Sequence, residues 1–169
     1  MGDCLSSFVL YPNPALAKKA VPAPVDARLI AIGNRLRDAA TEAKAYGLAA
    51  AHIGEIEPII VLNIAPDTPD PNYALYFNPR VVAVAPDTEA GREASVSLPG
   101  VEVEIVRPVW AEIAFEDAQG IARTERFEGF VARCALHEIE QMEGRYFLSN
   151  LSRLKRDMAL KKAAKRRAG

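Results

Sequence analysis

His137 and Glu138 are the residues of this 169-residue chain whose types and spacing most directly indicate chemistry. On a helix, a His and a second ligand four residues later lie on one face, about one turn apart. A Glu directly after the His can then act as general base on a metal-bound water. Gln141 stands where this pattern needs the second His. The chain has two histidines, His52 and His137, so a histidine-rich metal site would have to use both.

The surrounding pattern predicts an α+β fold, in which antiparallel strands pack around a central helix with the His-Glu pair. Asp26 is the predicted N-cap of a first helix that ends near Tyr46 and Gly47. A second helix, from Gly129 to about Gly144, contains His137. Residues 89–95 are only polar and small. Apolar alternation and β-branched residues predict strands or extended segments at 58–64, 74–79, 80–84, 101–106, 109–115 and 121–127.

Length and composition predict one domain over residues 1–169, with an extended N-terminal arm at 7–24 and a basic C-terminal helix or tail at 151–169. The net charge of −1 gives no global basic field for nucleic acid. No apolar run approaches a membrane span, and the N-terminus lacks a secretory layout. The two cysteines suggest no disulfide framework. We therefore expect a cytoplasmic protein without a membrane partner; no pattern indicates its oligomeric state.

Four stretches, in their order and spacing, resemble the peptide deformylase family. Residues 9–16, VLYPNPAL, look like its N-terminal arm. Residues 47–54, GLAAAHIG, are similar to its first motif, G-x-G-L-A-A-x-Q-[VI]-G. Residues 93–100, EASVSLPG, are similar to the second, E-G-C-L-S-[VL]-P-G, and residues 137–144, HEIEQMEG, to the third, H-E-x-D-H-L-x-G. Arg107 also falls where the family has an arginine, and the resemblance runs from about Val9 to Leu154.

The resemblance implies a single Fe²⁺ or Zn²⁺ ion, bound in the family by the Cys of motif two and both His of motif three. The Glu after the first His is the family's acid and base, and the Gln of motif one helps to hold the reacting carbonyl. In this chain the Cys position is Ser95, the second His position is Gln141, and the Gln position is His52. The resemblance thus assigns catalytic positions to Glu138, His52 and Leu98, and metal positions to His137, Ser95 and Gln141.

The substitutions predict a weakened or absent metal site. A thiolate is an anionic, soft ligand, whereas Ser95 offers a neutral hydroxyl that ionises with great difficulty. Gln141 offers an amide oxygen, which suits hard cations better than Zn²⁺ or Fe²⁺. Loss of outer-shell groups alone typically costs about 10–100-fold, so two lost ligands cost more. We expect deformylation to be weak or lost.

Three functional hypotheses follow from the resemblance. The chain is a hydrolase that removes the formyl group from the N-terminal formyl-methionine of nascent polypeptides. Alternatively, it is a non-catalytic relative that binds N-terminal peptides or a partner by strand addition near residues 98–103. The third is a rebuilt site in which His52 and His137 are completed by Ser95, Glu138 or Gln141.

The C-terminal segment has two interpretations. Residues 153–167 include eight basic residues against Asp157 alone. They fit a solvated helix end, where cations interact favourably with the helix dipole. They also fit contact with ribosomal RNA, which would bring a protein that acts on nascent chains to its substrate by phosphate attraction.

Overall fold

The computed structural model describes residues 8–168, apart from the side chain of residue 167. Ser7, the first residue of the predicted arm, therefore lies outside the described residues. Within them the α-helices are α1 (Ala27–Ala43), α2 (Gly129–Met142) and α3 (Arg153–Ala168), and short 3-10 helices include Ala50–Ile53. The strands are β1 (Gly47–Ala49), β2 (Ile59–Asn63), β3 (Tyr73–Val84), β4 (Thr88–Ala94), β5 (Glu102–Pro108), β6 (Trp110–Glu116) and β7 (Ala122–Glu128). The predicted α+β class is confirmed.

The main sheet has the strand order β1-β2-β3-β6-β7, with every neighbouring pair antiparallel. All five residues of β2 are buried. Ile60 and Leu62 pack in the cluster that contains α2, whereas Ile59 and Val61 pack in the cluster that contains α1. The two helices therefore cover opposite faces of the sheet, which explains why residues 59–62 of β2 are continuously apolar.

A separate two-stranded sheet, β4-β5, presents the second motif. The sequence pattern did not predict β4, because residues 89–94 lack the β-branched and aromatic side chains typical of strands. Strand β4 forms because it pairs with β5, in which apolar and charged residues alternate. The segments expected separately at 74–79 and 80–84 are one strand, β3, with a register irregularity between Phe77 and Arg80. Asn78, at φ 50°, lies at this irregularity.

The first helix begins as predicted but ends earlier. The Oδ1 atom of Asp26 accepts a hydrogen bond from the Leu29 amide at 2.9 Å, as an N-cap should. The helix ends at Ala43, where Lys44 takes the left-handed conformation with φ 54°. Gly47 begins β1 instead of ending the helix.

Helix α3 packs against the loop that follows β4. Its Ala159 and Ala163 are buried in a third cluster with Leu98, Val101 and Phe147. This contact braces residues 95–101, which lead from β4 into β5. In the described part of the chain, no helix is both long and apolar enough to cross a bilayer.

Candidate functional site

A cavity of about 560 Å³ lies where α2 faces β1 and the end of β4. It brings together four of the residues that the sequence singled out, His52, Ser95, His137 and Glu138, and adds Cys134. The rest of its wall is Ala45, Tyr46, Gly47, Leu48, Arg92, Glu93, Ala94, Val96, Pro99, Gly100, Glu102, Phe130 and Arg133. A larger depression of about 650 Å³, beneath Pro22 and Pro24, contains none of the predicted site residues.

His137 is oriented by a carboxylate from β4. Its Nδ1 atom lies 2.8 Å from Oε1 of Glu93, and both side chains are buried. This bond places the ring proton on Nδ1 and leaves the Nε2 lone pair for another partner. Burial alone would lower the pKa of His137, but the hydrogen bond to Glu93 and the nearby carboxyl groups of Glu138 and Glu93 raise it.

Glu93 is the centre of a buried ionic network. It accepts two hydrogen bonds from Arg107, at 2.7 and 2.8 Å, and one from Arg133 at 2.8 Å. With His137, these donors occupy both carboxylate oxygens. Burial would raise the pKa of Glu93, but the hydrogen bonds from Arg107 and His137 lower it to about 2. Arg107 also donates to Glu140 at 2.8 Å.

His52 keeps one buried ring nitrogen without a partner in the described chain. The backbone amide of Ala49 donates to Nδ1 of His52 at 3.0 Å, so the proton of the neutral ring lies on Nε2. Burial, and then the charge of His137, lower the pKa of His52 to about 3, so the ring is neutral at physiological pH. Its Nε2 atom is buried and has no hydrogen-bond partner among residues 8–168.

Glu138 has an unpaired acceptor near the His52 ring. Its Oε2 atom is buried, lies 3.6 Å from Nδ1 of His52, and likewise has no hydrogen-bond partner in the described chain. Its Oε1 atom lies 3.9 Å from Nε2 of His137. Burial raises the pKa of Glu138 to about 7. Gly47 permits this placement, because a Cβ atom there would lie 3.2 Å from Cγ of Glu138.

The two potential nucleophiles of the pocket are held in weakly reactive forms. The Ser95 hydroxyl is 2.7 Å from the Ser97 hydroxyl and accepts a hydrogen bond from the Ser97 amide at 3.2 Å. Burial, and then the charge of Glu138, raise the pKa of Cys134 to about 12. Cys134 is therefore a thiol at neutral pH.

Gln141 and Leu98 are not brought into the pocket. Gln141 is buried, and its Nε2 atom donates to the Leu16 carbonyl at 2.7 Å, which ties the N-terminal arm to α2. Leu98 packs in the third cluster, and its amide donates to the Ser95 carbonyl at 3.0 Å. Besides Ser95, the second motif contributes Glu93, Ala94, Val96, Pro99 and Gly100 to the pocket wall.

The residues at the family's metal positions do not supply the donor set of a Zn²⁺ or Fe²⁺ site. Gln141 is bound to the arm, Ser95 is a neutral hydroxyl, and His52 has its proton on the nitrogen that would have to bind the ion. Of the three family metal positions, His137 alone presents a ligand lone pair to the pocket. Across residues 8–168, no three His, Cys, Asp or Glu side chains group in a way that could hold a metal ion.

Sequence reasoning gave no role to Glu93 or Arg133, although both help to form the site. Arg133 lies four residues before His137, so on a helix the two share one face. An arginine on the apolar face of a helix requires a buried carboxylate, and Glu93 is the acidic residue of the second motif. That argument was available in the sequence. The aromatic rim of Tyr46 and Phe130, whose rings lie 4.9 Å apart, had no such signal.

Comparisons with known proteins agree with this geometry. The sequence model of the polypeptide deformylase family matches residues 5–157. A protein of Agrobacterium fabrum named peptide deformylase-like is 39% identical over 93% of this chain and 94% of its own length. The peptide deformylase of the same organism is 28% identical over 95% of each chain. The crystal structure of peptide deformylase from Ehrlichia chaffeensis superposes with a TM-score of 0.88 at 27% identity, covering 96% of each chain. The chain therefore belongs to the peptide deformylase family.

Proposed function

We propose that this chain binds the formylated N-terminus of a peptide without a metal ion, and that it deformylates weakly or not at all. The observation that carries the proposal is the unpaired donor and acceptor of the pocket, Nε2 of His52 and Oε2 of Glu138. A buried polar atom without a partner costs about 1–3 kcal/mol, so a ligand that pairs both atoms gains that free energy.

A formyl amide matches this pair. Its carbonyl oxygen accepts a hydrogen bond from the Nε2–H group of His52, and its N–H group donates to Oε2 of Glu138. A free amino terminus is a poorer match, because an ammonium group has only donors and would face the donor of His52. The pocket is therefore expected to prefer a formylated peptide to the free amine.

The strands beside the pocket offer a route for the peptide that follows the formyl group. Within residues 8–168, β1 pairs only with β2, and β4 pairs only with β5. Residues of both strands line the pocket. An extended peptide can add to an unpaired strand edge through main-chain hydrogen bonds, with side-chain pockets giving specificity. We therefore expect the peptide to add at the edge of β1 or β4, and not near residues 98–103 as the sequence suggested.

Metal-dependent hydrolysis has little support in the donor set. Without a bound ion, the water near Glu138 keeps a pKa close to that of bulk water, and the nucleophile of the reaction is lost. The rebuilt site with His52 as a ligand would require the Ala49 hydrogen bond to break and the ring proton to move.

Metal content and turnover test the proposal together. The protein is purified anaerobically with Fe²⁺, Zn²⁺ or Ni²⁺ supplied, its metal is measured, and formate release from formyl-Met-Ala-Ser is followed. We expect metal well below one ion per chain and little or no formate. Stoichiometric metal with rapid formate release, abolished in Glu138→Gln, would show that the protein is a deformylase with an unusual ligand set.

We further propose that α3 brings the protein to its ligand at the ribosome. Lys161, Lys162 and Lys165 are exposed, while Ala159 and Ala163 hold the helix on the body. Contact with RNA phosphates should weaken steeply with salt. Charge reversal of the three lysines should abolish co-sedimentation with ribosomes and leave the melting temperature nearly unchanged. Co-sedimentation that persists at high salt, or that is unchanged after charge reversal, would argue against this contact. The basic segment would then be only a solvated helix end.

A further inference from the structure

Ser95 is the first of three hydroxyl groups that follow one another from the pocket into the protein. Its Oγ atom lies 2.7 Å from Oγ of Ser97, which in turn lies 3.1 Å from the phenol oxygen of Tyr146. Ser97 is buried, whereas Ser95 is half-buried and lines the pocket. The Ser95 hydroxyl therefore faces a hydrogen-bonded chain on one side and the pocket on the other.

The hydrogen bonds of this chain leave Ser95 with a donor. A phenol is a stronger donor and a weaker acceptor than an aliphatic hydroxyl, which favours donation from Tyr146 to Ser97. Ser97 has a single hydroxyl hydrogen, which it then donates to Ser95. The Ser97 amide also donates to Oγ of Ser95, at 3.2 Å. Both lone pairs of the Ser95 oxygen are thus occupied, and its own hydrogen remains for a group in the pocket.

The residues around Tyr146 hold the chain in place. The Tyr146 ring stacks on Tyr11 with their centroids 4.8 Å apart, and it meets Phe147 edge to face at 5.0 Å. The Tyr11 amide donates to the Ser97 carbonyl at 2.9 Å. The position of the Ser95 hydroxyl is therefore set by the N-terminal arm and by the segment that follows α2.

The same arm brings the chain beside His52. The Val9 amide donates to the His52 carbonyl at 2.9 Å, and the Tyr11 amide, two residues later, binds Ser97. Two residues of chain span at most about 7 Å, so the backbones at His52 and Ser97 are neighbours. His52 and Ser95 also line the same pocket. Two neutral donors, the Nε2–H group of His52 and the Ser95 hydroxyl, thus come from adjacent segments.

We propose that Ser95 is a specificity-determining residue that donates a second hydrogen bond to the formyl carbonyl. A carbonyl oxygen has two lone pairs, so it can accept from His52 and Ser95 together. Two donors on one oxygen favour a formyl group over an ammonium group, which cannot accept a hydrogen bond. This inference rests on the proposed binding of a formylated peptide, and it gives a role to the hydroxyl that stands at a metal position of the family.

The test is a double-mutant cycle between protein and ligand. Formyl-Met-Ala-Ser and its thioformyl analogue, whose sulfur is a weaker acceptor than oxygen, are titrated into the wild-type protein and into Ser95→Ala in EDTA. We expect Ser95→Ala to lower the affinity for the formyl peptide about three- to tenfold, and to lower that for the thioformyl analogue much less. Ser149→Ala, which removes an exposed serine outside the pocket, should change neither affinity.

Two results would overturn this inference alone. If Ser95→Ala binds the formyl peptide as tightly as the wild type does, the hydroxyl does not contact the ligand. If the variant weakens both ligands equally, the serine acts only on the shape of the pocket. Ser95→Cys, whose thiol is a weak donor, replaces Ser95→Ala if that variant unfolds. A wild-type protein that binds no formyl peptide in EDTA would instead overturn the proposed function, and this inference with it.

Discussion

The two sides of the pocket differ in how their polar atoms are satisfied. On one side, which we call the paired side, Glu93, Arg107, Arg133 and His137 are joined by hydrogen bonds of 2.7–2.8 Å. On the other, which we call the open side, His52 and Glu138 each keep one buried atom without a partner in the described chain. The two sides meet where Oε1 of Glu138 lies 3.9 Å from Nε2 of His137.

This difference indicates that the paired side stabilises the fold and that the open side binds the ligand. A fully paired ionic network holds the helix and strands in register, and it is costly to break because each lost partner leaves a buried charge. Unpaired atoms cost stability in the empty protein, and natural proteins keep few of them. The open side is therefore where a ligand gains affinity, and the paired side is what keeps that site in shape.

Breaking the paired side should have the largest effect. Glu93→Gln leaves two guanidiniums against a neutral amide and should lower the free energy of unfolding by about 3–5 kcal/mol. Chemical denaturation at pH 7 measures it. Glu102→Gln is the matched control, since it removes an exposed pair with Arg92 at 3.2 Å and should cost about 0–1 kcal/mol. Equal losses of unfolding free energy in the two variants would contradict the claim that the paired side stabilises the fold.

Changing the open side should instead stabilise the protein, in a pH-dependent way. The pKa of Glu138 rises from 4.5 to about 7 on folding, so the unfolded chain loses this proton first. The Glu138 carboxyl therefore contributes to stability below pH 4.5, and this contribution is lost as the pH rises to 7. Glu138→Gln should therefore raise the free energy of unfolding by about 1–3 kcal/mol at pH 8.

The same comparison at pH 4 checks the sign of that effect. There the wild-type carboxyl is protonated in both states, and the gain from Glu138→Gln should vanish. A gain that is equal at both pH values would show that ionisation of Glu138 is not its cause. A loss at pH 8 would show that the carboxylate is already paired in the folded protein.

Gln141 should behave as part of the paired side, although the family places a metal ligand there. Gln141→Leu removes the donor to the Leu16 carbonyl and should cost about 1–2 kcal/mol. Hydrogen exchange should accelerate at the Ala20 amide, which is bonded to the Met142 carbonyl at 2.9 Å. The exposed Gln119→Leu is the control. An unchanged arm would mean that Gln141 does not hold it.

Sequence reasoning succeeded where one residue's chemistry was sufficient. Asp26 as an N-cap, β2 as a strand, and the placement of the His137 pair on a helix all followed from local pattern. It failed where the answer depends on a distant partner. Strand β4 exists through pairing with β5, Gln141 bonds to a residue 125 positions away, and Leu98 belongs to a cluster completed by α3.

The most direct test of the account is peptide binding in the presence of a chelator. Calorimetry would compare formyl-Met-Ala-Ser with the unformylated Met-Ala-Ser, using protein dialysed against EDTA. We predict that the formylated peptide binds, is recovered intact, and binds at least about tenfold more tightly than the free amine, a difference of about one hydrogen bond. Equal binding of the two peptides, or binding of the formylated peptide that appears only after metal is added back, would contradict the central claim.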